Sequence, residues 1–231
     1  MPNDRVVRIH NKTVVGAEAT EVSGTVKFRD ANGELECVSY ESLGIRFSFE
    51  YTTRLVFLHE RDLRDCLLQT IDGQTDPSEE VASMLLSGSC SDAISVRHVG
   101  VVDGVDVGHG VFSEQSISQG TYIGEYVGLV SSVEETTPNS SHYNFQYPSL
   151  DAGLQINARE YGNVVRFINH SATPNVAFIS VKFGEIMHIV CVSTAHNIPP
   201  QQQLTANYGD AFWVHKGYAN VSVTHSQTIT G

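Results

Sequence analysis

The stretch RFINHSATPN (166–175) carries more information than any other ten residues of this 231-residue chain. Asn169, His170 and Ser171 are consecutive, which argues against a hydrolytic triad, because triad partners are assembled in space from separate positions. Taken alone, Asn-His-Ser is an ordinary turn, and a single histidine is more often structural. The company this segment keeps gives it weight. GNVV (162–165) leads into it, and LTANYGDAFW (204–213) follows, with Tyr208 33 residues beyond Asn175. Upstream stand GHGVFS (108–113) and ISQGTYIGEYVG (117–128).

Around these stretches, from Ser91 onward, the texture is one of short β-prone runs broken by glycine: ISVRHVGVV, GVFS, GTYIGEYVGLVS and MHIVCVS. That pattern predicts a mostly β domain of short strands. SSVEETTPNSSH (131–142) reads as a loop or a short inserted helix. VSVTHSQTITG (221–231) has no packing pattern and reads as a frayed tail.

The first 92 residues read as a separate β-plus-helix flanking unit. VKFRDANGELECV (26–38) predicts a hairpin turning at Asp30, Ala31, Asn32 and Gly33. In IRFSFEY (45–51), Ile45, Phe47, Phe49 and Tyr51 alternate with polar residues, which predicts a strand with one buried face. LHERDLRDCLLQTI (58–71) predicts a helix with Leu63, Cys66, Leu67 and Ile71 along one stripe. DPSEEVASMLLSG (76–88) predicts a helix capped by Asp76, with Pro77 in its first turn, Glu79 completing a capping box and Gly88 ending it.

The bulk numbers narrow the function. An apolar fraction of 41% and a charged fraction of 17% are those of an ordinary globular protein. No apolar run approaches the ~20 residues of a membrane span, so no membrane partner is expected. The start, MPNDRVVRIHNKTVV, lacks a signal-peptide pattern. The net charge of −12 divides evenly between residues 1–100 and 101–231, with no basic stripe, which argues against direct nucleic-acid binding. An acidic surface suits attraction of a basic peptide, although solubility alone would also account for it. Cys37, Cys66, Cys90 and Cys191 lack CxxC-type spacing, so no zinc framework is readable. Scattered single cysteines suit a reducing, intracellular compartment, nucleus or cytoplasm.

Taken together, the four motif stretches resemble the SET-domain protein-lysine methyltransferases. The matching residues are Gly108, Gly110, Val111 and Phe112; Ile117, Gly120, Glu125, Tyr126 and Gly128; Gly162, Asn163 and Arg166 through Ser171, then Pro174 and Asn175; and Leu204, Thr205, Tyr208 and Gly209. Any one motif is weak, but four in the family's order are highly specific. The resemblance covers about residues 94 to 215. It implies small curved β-sheets with a C-terminal pseudoknot, and a division into a flanking domain (1–92), a SET domain (93–215) and a tail (216–231) that closes the site or frays.

The resemblance also implies S-adenosyl-L-methionine as methyl donor and a protein or peptide lysine as acceptor. Histone tails are the family's commonest target and would suit an acidic enzyme. Tyr208 is then expected beside the transferring methyl, and Tyr126 as a wall of the lysine channel. The cofactor is expected against His109, Gly110, Phe112, Tyr143, Arg166, Asn169, His170 and Trp213. The substrate channel is expected against Phe178, Ala206 and Phe212. Ala206 and Phe178 fall where the family governs the number of methyls added. Neither carries a phenol to hold a blocking water, so more than one methyl is expected. One departure stands out: Ala172 replaces the cysteine that often shares a zinc ion, so no metal is expected. A catalytically silent SET-like module that binds partners is the competing reading. Retention of Gly110, Asn169, His170 and Tyr208 argues against it.

Overall fold

The computed structural model describes residues 7–9, 12–14, 23–57, 59–67, 76–102, 105–132, 143–148 and 153–209. It is mostly β with short helices, as expected. The largest described sheets each have six strands. One runs in the order Asn169–His170, Gln203–Ala206, His109–Ser113, Ile94–His98, Thr25–Arg29, Leu35–Ser39. The other begins Asn144–Gln146, Leu154–Asn157, Leu129–Ser132, Val56–Phe57. A three-stranded sheet joins Tyr122–Glu125 to the long hairpin Val176–Phe183 and Ile186–Ser193.

The predicted boundary near residue 92 falls inside a shared sheet. Thr25–Arg29 pairs in parallel with Ile94–His98, Phe28 opposite Val96. A single core cluster takes in Val26, Phe28, Leu43, Phe49 and Phe57 together with Val96, Val111, Ile123, Ile156 and Leu204. Glu114 ties the seam: its carboxylate receives Arg29 Nη2 and Arg97 Nη2, each at 2.7 Å, and Ser95 Oγ at 2.5 Å. Burial alone would raise the Glu114 pKa, but the hydrogen bonds from Ser95, Arg29 and Arg97 outweigh it and hold the carboxyl at about 2.

The hairpin turning at 30–33 forms, Thr25–Arg29 against Leu35–Ser39. IRFSFEY is not one strand. Tyr40–Phe47 is a helix, and only Glu50–Tyr51 is extended. The Ser39 side chain accepts from Ser42 N at 3.0 Å, capping the helix start. Ser48 then closes the helix in the left-handed conformation, φ 56° and ψ 48°. Gly44 permits this return, because a Cβ there would lie 2.5 Å from the Phe49 carbonyl oxygen. Ile45 is accordingly 75% exposed, while Phe49 and Tyr51 are buried.

Glu60–Leu67 is helical with Cys66 buried, but Leu67 is 40% exposed and leaves the predicted stripe. Ile71 lies outside the described residues. Glu79–Ser87 is helical and ends at Gly88, capped by Ser78 rather than Asp76, since it is the Ser78 side chain that accepts from Val81 N. Most of 131–142, and all of 210–231, lie outside the described residues.

Candidate active site

The site is organised by a strand that passes between two others. Gln203–Ala206 runs antiparallel to His109–Ser113 on one side and parallel to Asn169–His170 on the other. Asn175 fastens it: Nδ2 donates to Gln203 O at 2.9 Å, Oδ1 accepts from Thr205 N at 2.8 Å, and the Asn175 N–H reaches Thr205 O at 3.0 Å. This buried amide uses both ends of its side chain and its backbone donor on one strand, which fixes register. Asn175 matched the motif, but its role could be read only in three dimensions.

Beyond Ala206 the chain reaches Tyr208. Its N–H donates to His170 Nδ1 at 3.2 Å, and its hydroxyl donates to Ile168 O at 2.5 Å. The two rings stand 5.4 Å apart at 60°. Burial raises the Tyr208 pKa, with the nearby Tyr143 adding to the effect, so the phenol stays protonated. Burial lowers the His170 pKa, which favours the neutral ring that can accept at Nδ1.

Tyr126 follows the strand Tyr122–Glu125, and its own N–H bonds to Ile189 O at 2.8 Å. Its hydroxyl donates to Tyr143 O at 2.6 Å. Burial raises its pKa, and Tyr208 is the next cause, so the two phenols are electrostatic neighbours. Phe178 stands edge-on to Tyr126 at 5.7 Å and 85°, and Phe145 completes a three-ring group at 5.3 and 5.4 Å from them. Phe145 was not predicted. The alternation Tyr143, Phe145, Tyr147 was its available signal. The preceding Glu125 is also held: its carboxylate meets His188 Nδ1 at 2.7 Å, and its carbonyl accepts from Asn163 Nδ2 at 2.9 Å.

His109, Gly110, Asn169, His170, Ala206 and Tyr208 converge here. Asn169 Nδ2 donates to His109 O at 3.1 Å. Ala206 is fully buried opposite His170. Gly110 has no room for a side chain: a Cβ would lie 2.5 Å from the Gln203 amide and 2.8 Å from Val99. Arg166 is buried and serves as a clamp. Its guanidinium donates from Nε to Ala158 O at 2.7 Å and sits 4.0 Å from the Tyr143 ring centre and 4.5 Å from that of Phe49. Tyr143 is therefore covered by Arg166. Phe112 lies under Arg97, 4.8 Å from ring centre to guanidinium, toward the Glu114 cluster rather than toward Tyr208. Phe212 and Trp213 lie outside the described residues. A cavity of about 420 Å³ lies elsewhere, lined by Met84, Cys90, Asp92, Ser118 and Tyr122 among others, with none of the predicted site residues. Among the described residues no group of three or more His, Cys, Asp or Glu side chains is placed to hold a metal ion.

Residues 108–209 match the family model of the SET domain. That stretch of the chain is similar to SET domains. The SET region is similar to the mouse (Mus musculus) histone-lysine N-methyltransferase EHMT1, 40% identical over 118 residues that make up 48% of this chain and 9% of that protein. It is also similar to the Arabidopsis thaliana histone-lysine N-methyltransferase, H3 lysine-9 specific, SUVH5, at 37% over 107 residues, 44% of this chain and 13% of that protein. The chain thus spans roughly a tenth of the length of these relatives. The crystal structure of ATXR5 in complex with histone H3.1 mono-methylated on R26 has the same fold: TM-score 0.58, 18% identity, covering 73% of this chain and 85% of that one. S-adenosylmethionine is the cofactor of the SET methyltransferase family. The residues at this site fit it. The His170 imidazole and the Tyr208 ring supply polar and aromatic surface, close to Asn169 and the packed Gly110. Beside them Gly108, at φ +68°, has nothing within 4 Å of where a Cβ would stand.

Proposed function

We propose that this protein transfers methyl groups from S-adenosylmethionine to the side-chain amine of a protein lysine, with a histone as the substrate class. The observation that carries the reading is the pair of buried phenols, Tyr126 and Tyr208, each giving its hydroxyl hydrogen to a backbone carbonyl. A phenol that donates in this way meets an incoming amine as an acceptor. Two such oxygens orient an amine and leave its lone pair pointing along one line. Orientation of this kind is worth up to ~7–11 kcal/mol of barrier in a well-aligned site.

The amine must also be neutral, against a free lysine pKa of about 10.4. The Tyr126, Phe145 and Phe178 rings supply an apolar wall that disfavours the ammonium and keeps water out. When bound, the cofactor supplies a sulfonium-activated methyl group as the electrophile. His109, Gly110, Asn169 and His170 would hold it.

The histone reading is supported by the relatives, which are histone-lysine methyltransferases, and by the histone H3.1 complex of ATXR5. It would place the protein in the nucleus. The test is incubation of the full chain with S-adenosylmethionine and recombinant core histones, followed by mass spectrometry of lysine-bearing peptides. Methyl-lysine is expected, with di- or trimethyl products at long times, because neither Ala206 nor Phe178 offers a hydroxyl. Cofactor binding by calorimetry, with no transfer to histones or to total cell protein, would identify a silent binding module instead.

A further inference from the structure

Phe47 and Phe49 lie outside residues 108–209, where the helix Tyr40–Phe47 gives way to the strand Glu50–Tyr51. Their rings bracket Phe167 of the RFINHS segment. Phe47 stands edge-on to Phe167 at 4.9 Å and edge-on to the His109 ring at 4.6 Å and 74°. Phe49 is 6.2 Å from Phe167 and lies under the Arg166 guanidinium at 4.5 Å. Arg166 in turn covers the Tyr143 ring at 4.0 Å, and the Tyr143 carbonyl receives the Tyr126 hydroxyl. One ring therefore abuts the His109 side of the site, and the other abuts the assembly behind Tyr126.

The segment is held firmly enough to act as a support. Glu50–Tyr51 pairs in parallel with Tyr161–Gly162. Glu50 N donates to Glu160 O at 2.7 Å, and Thr52 N to Gly162 O at 2.8 Å. Phe49 N returns to Gly44 O at 3.0 Å.

We propose that Phe47 and Phe49 are positioning residues for the two halves of the site: Phe47 sets the His109 wall against which the cofactor binds, and Phe49, through Arg166 and Tyr143, sets the Tyr126 wall of the lysine channel. The proposal rests on the function proposed above. Its physical basis is that His109 is packed by neighbouring rings, so removing Phe47 lets the imidazole at the start of the strand His109–Ser113 relax into the vacated space. Removing Phe49 takes one aromatic face from Arg166 while its bond to Ala158 remains, which loosens Tyr143 and with it the acceptor of the Tyr126 hydroxyl.

The test uses the full chain and two readouts: calorimetric affinity for S-adenosylmethionine, and methyl-transfer rate at saturating cofactor onto histone H3 or total cell protein. Phe47→Ala should weaken cofactor affinity by about three- to tenfold and leave the saturated rate near wild type. Phe49→Ala should do the reverse, keeping affinity within about twofold and lowering the rate about three- to tenfold. Because Phe49 is buried, Phe49→Leu is the companion variant: it keeps apolar bulk but offers no ring face to Arg166, so its rate should fall too. Circular dichroism confirms that each variant is folded. Variants that lose both readouts in parallel, or neither, overturn the proposal. A wild-type chain that binds no cofactor overturns the proposed function, and this inference with it.

Discussion

Residues 108–209 and residues 23–67 share one hydrophobic core, yet they differ in how much of their role is visible in the chain. In the first, the proposed chemistry would fix residue identity: a phenol, an imidazole and a glycine could not be exchanged without changing what the proposed site does. In the second, only shape and hydrophobicity matter, so many sequences would serve and none announces its partner. Phe28, Leu43 and Phe49 are buried in the same core as Val111 and Leu204, but nothing in their spacing says so. The difference shows that an absence of motif says little about distance from the site.

The largest test of this comparison is to separate the regions. A chain lacking residues 1–92 loses Phe28, Leu43, Phe49, Tyr51 and Phe57 from the core and strips Ile94–His98 of its parallel neighbour. It should show no cooperative thermal transition. A truncated chain that melts cooperatively and binds S-adenosylmethionine would show two independent units. Within the motif-bearing region, Tyr208→Phe should leave the melting curve and cofactor affinity nearly unchanged and lower the transfer rate by roughly a hundredfold or more. An unaltered rate would remove Tyr208 from the reaction.

The seam comes next. Glu114→Gln leaves Arg29 and Arg97 without their carboxylate and should cost up to about 3 kcal/mol in chemical denaturation at neutral pH. The pH dependence has a defined sign. Because the folded pKa lies below the unfolded one, the Glu114 contribution is complete above the unfolded value of about 4.3. It is lost as pH falls through that value toward about 2. The variant and the wild type should therefore converge in stability at low pH, and a constant difference would assign the loss to packing. The smallest effect is expected at Ile45. As an exposed residue on the helix Tyr40–Phe47, Ile45→Lys should change stability by no more than about 0.5 kcal/mol. A loss of several kcal/mol would restore the buried strand that alternation predicted.

That alternation shows where sequence reading reaches its limit. Ile45, Phe47, Phe49 and Tyr51 satisfy a period of two, but Leu43, Gly44 and Phe47 also satisfy a helical face, and the Ser39 cap and the left-handed Ser48 favour the helix. Pro77 drew the next helix cap toward Asp76, two residues before Ser78, whose hydroxyl accepts from Val81 N. In the site, the family pattern led to the expectation that Tyr126, Tyr208, Asn169, His170 and Gly110 lie together. The clamp role of Arg166, the displacement of Phe112 toward Arg97, and the work of Asn175 did not follow from that pattern, because each depends on which carbonyl or ring stands opposite.

The strand Gln203–Ala206 also has a history built into its position. Leu204 pairs with Val111, and Ala206 with His170, so the slot it fills has walls drawn from two distant parts of the chain. Bringing the strand between those walls closes long loops, which costs entropy. Folding is therefore expected to be slow, with insertion of this strand as a late event. The same order runs backwards under mild denaturant. The strand that carries the chain to Tyr208 should slip out while the remaining sheets persist, so activity should vanish at a lower urea concentration than the far-ultraviolet signal of the sheets.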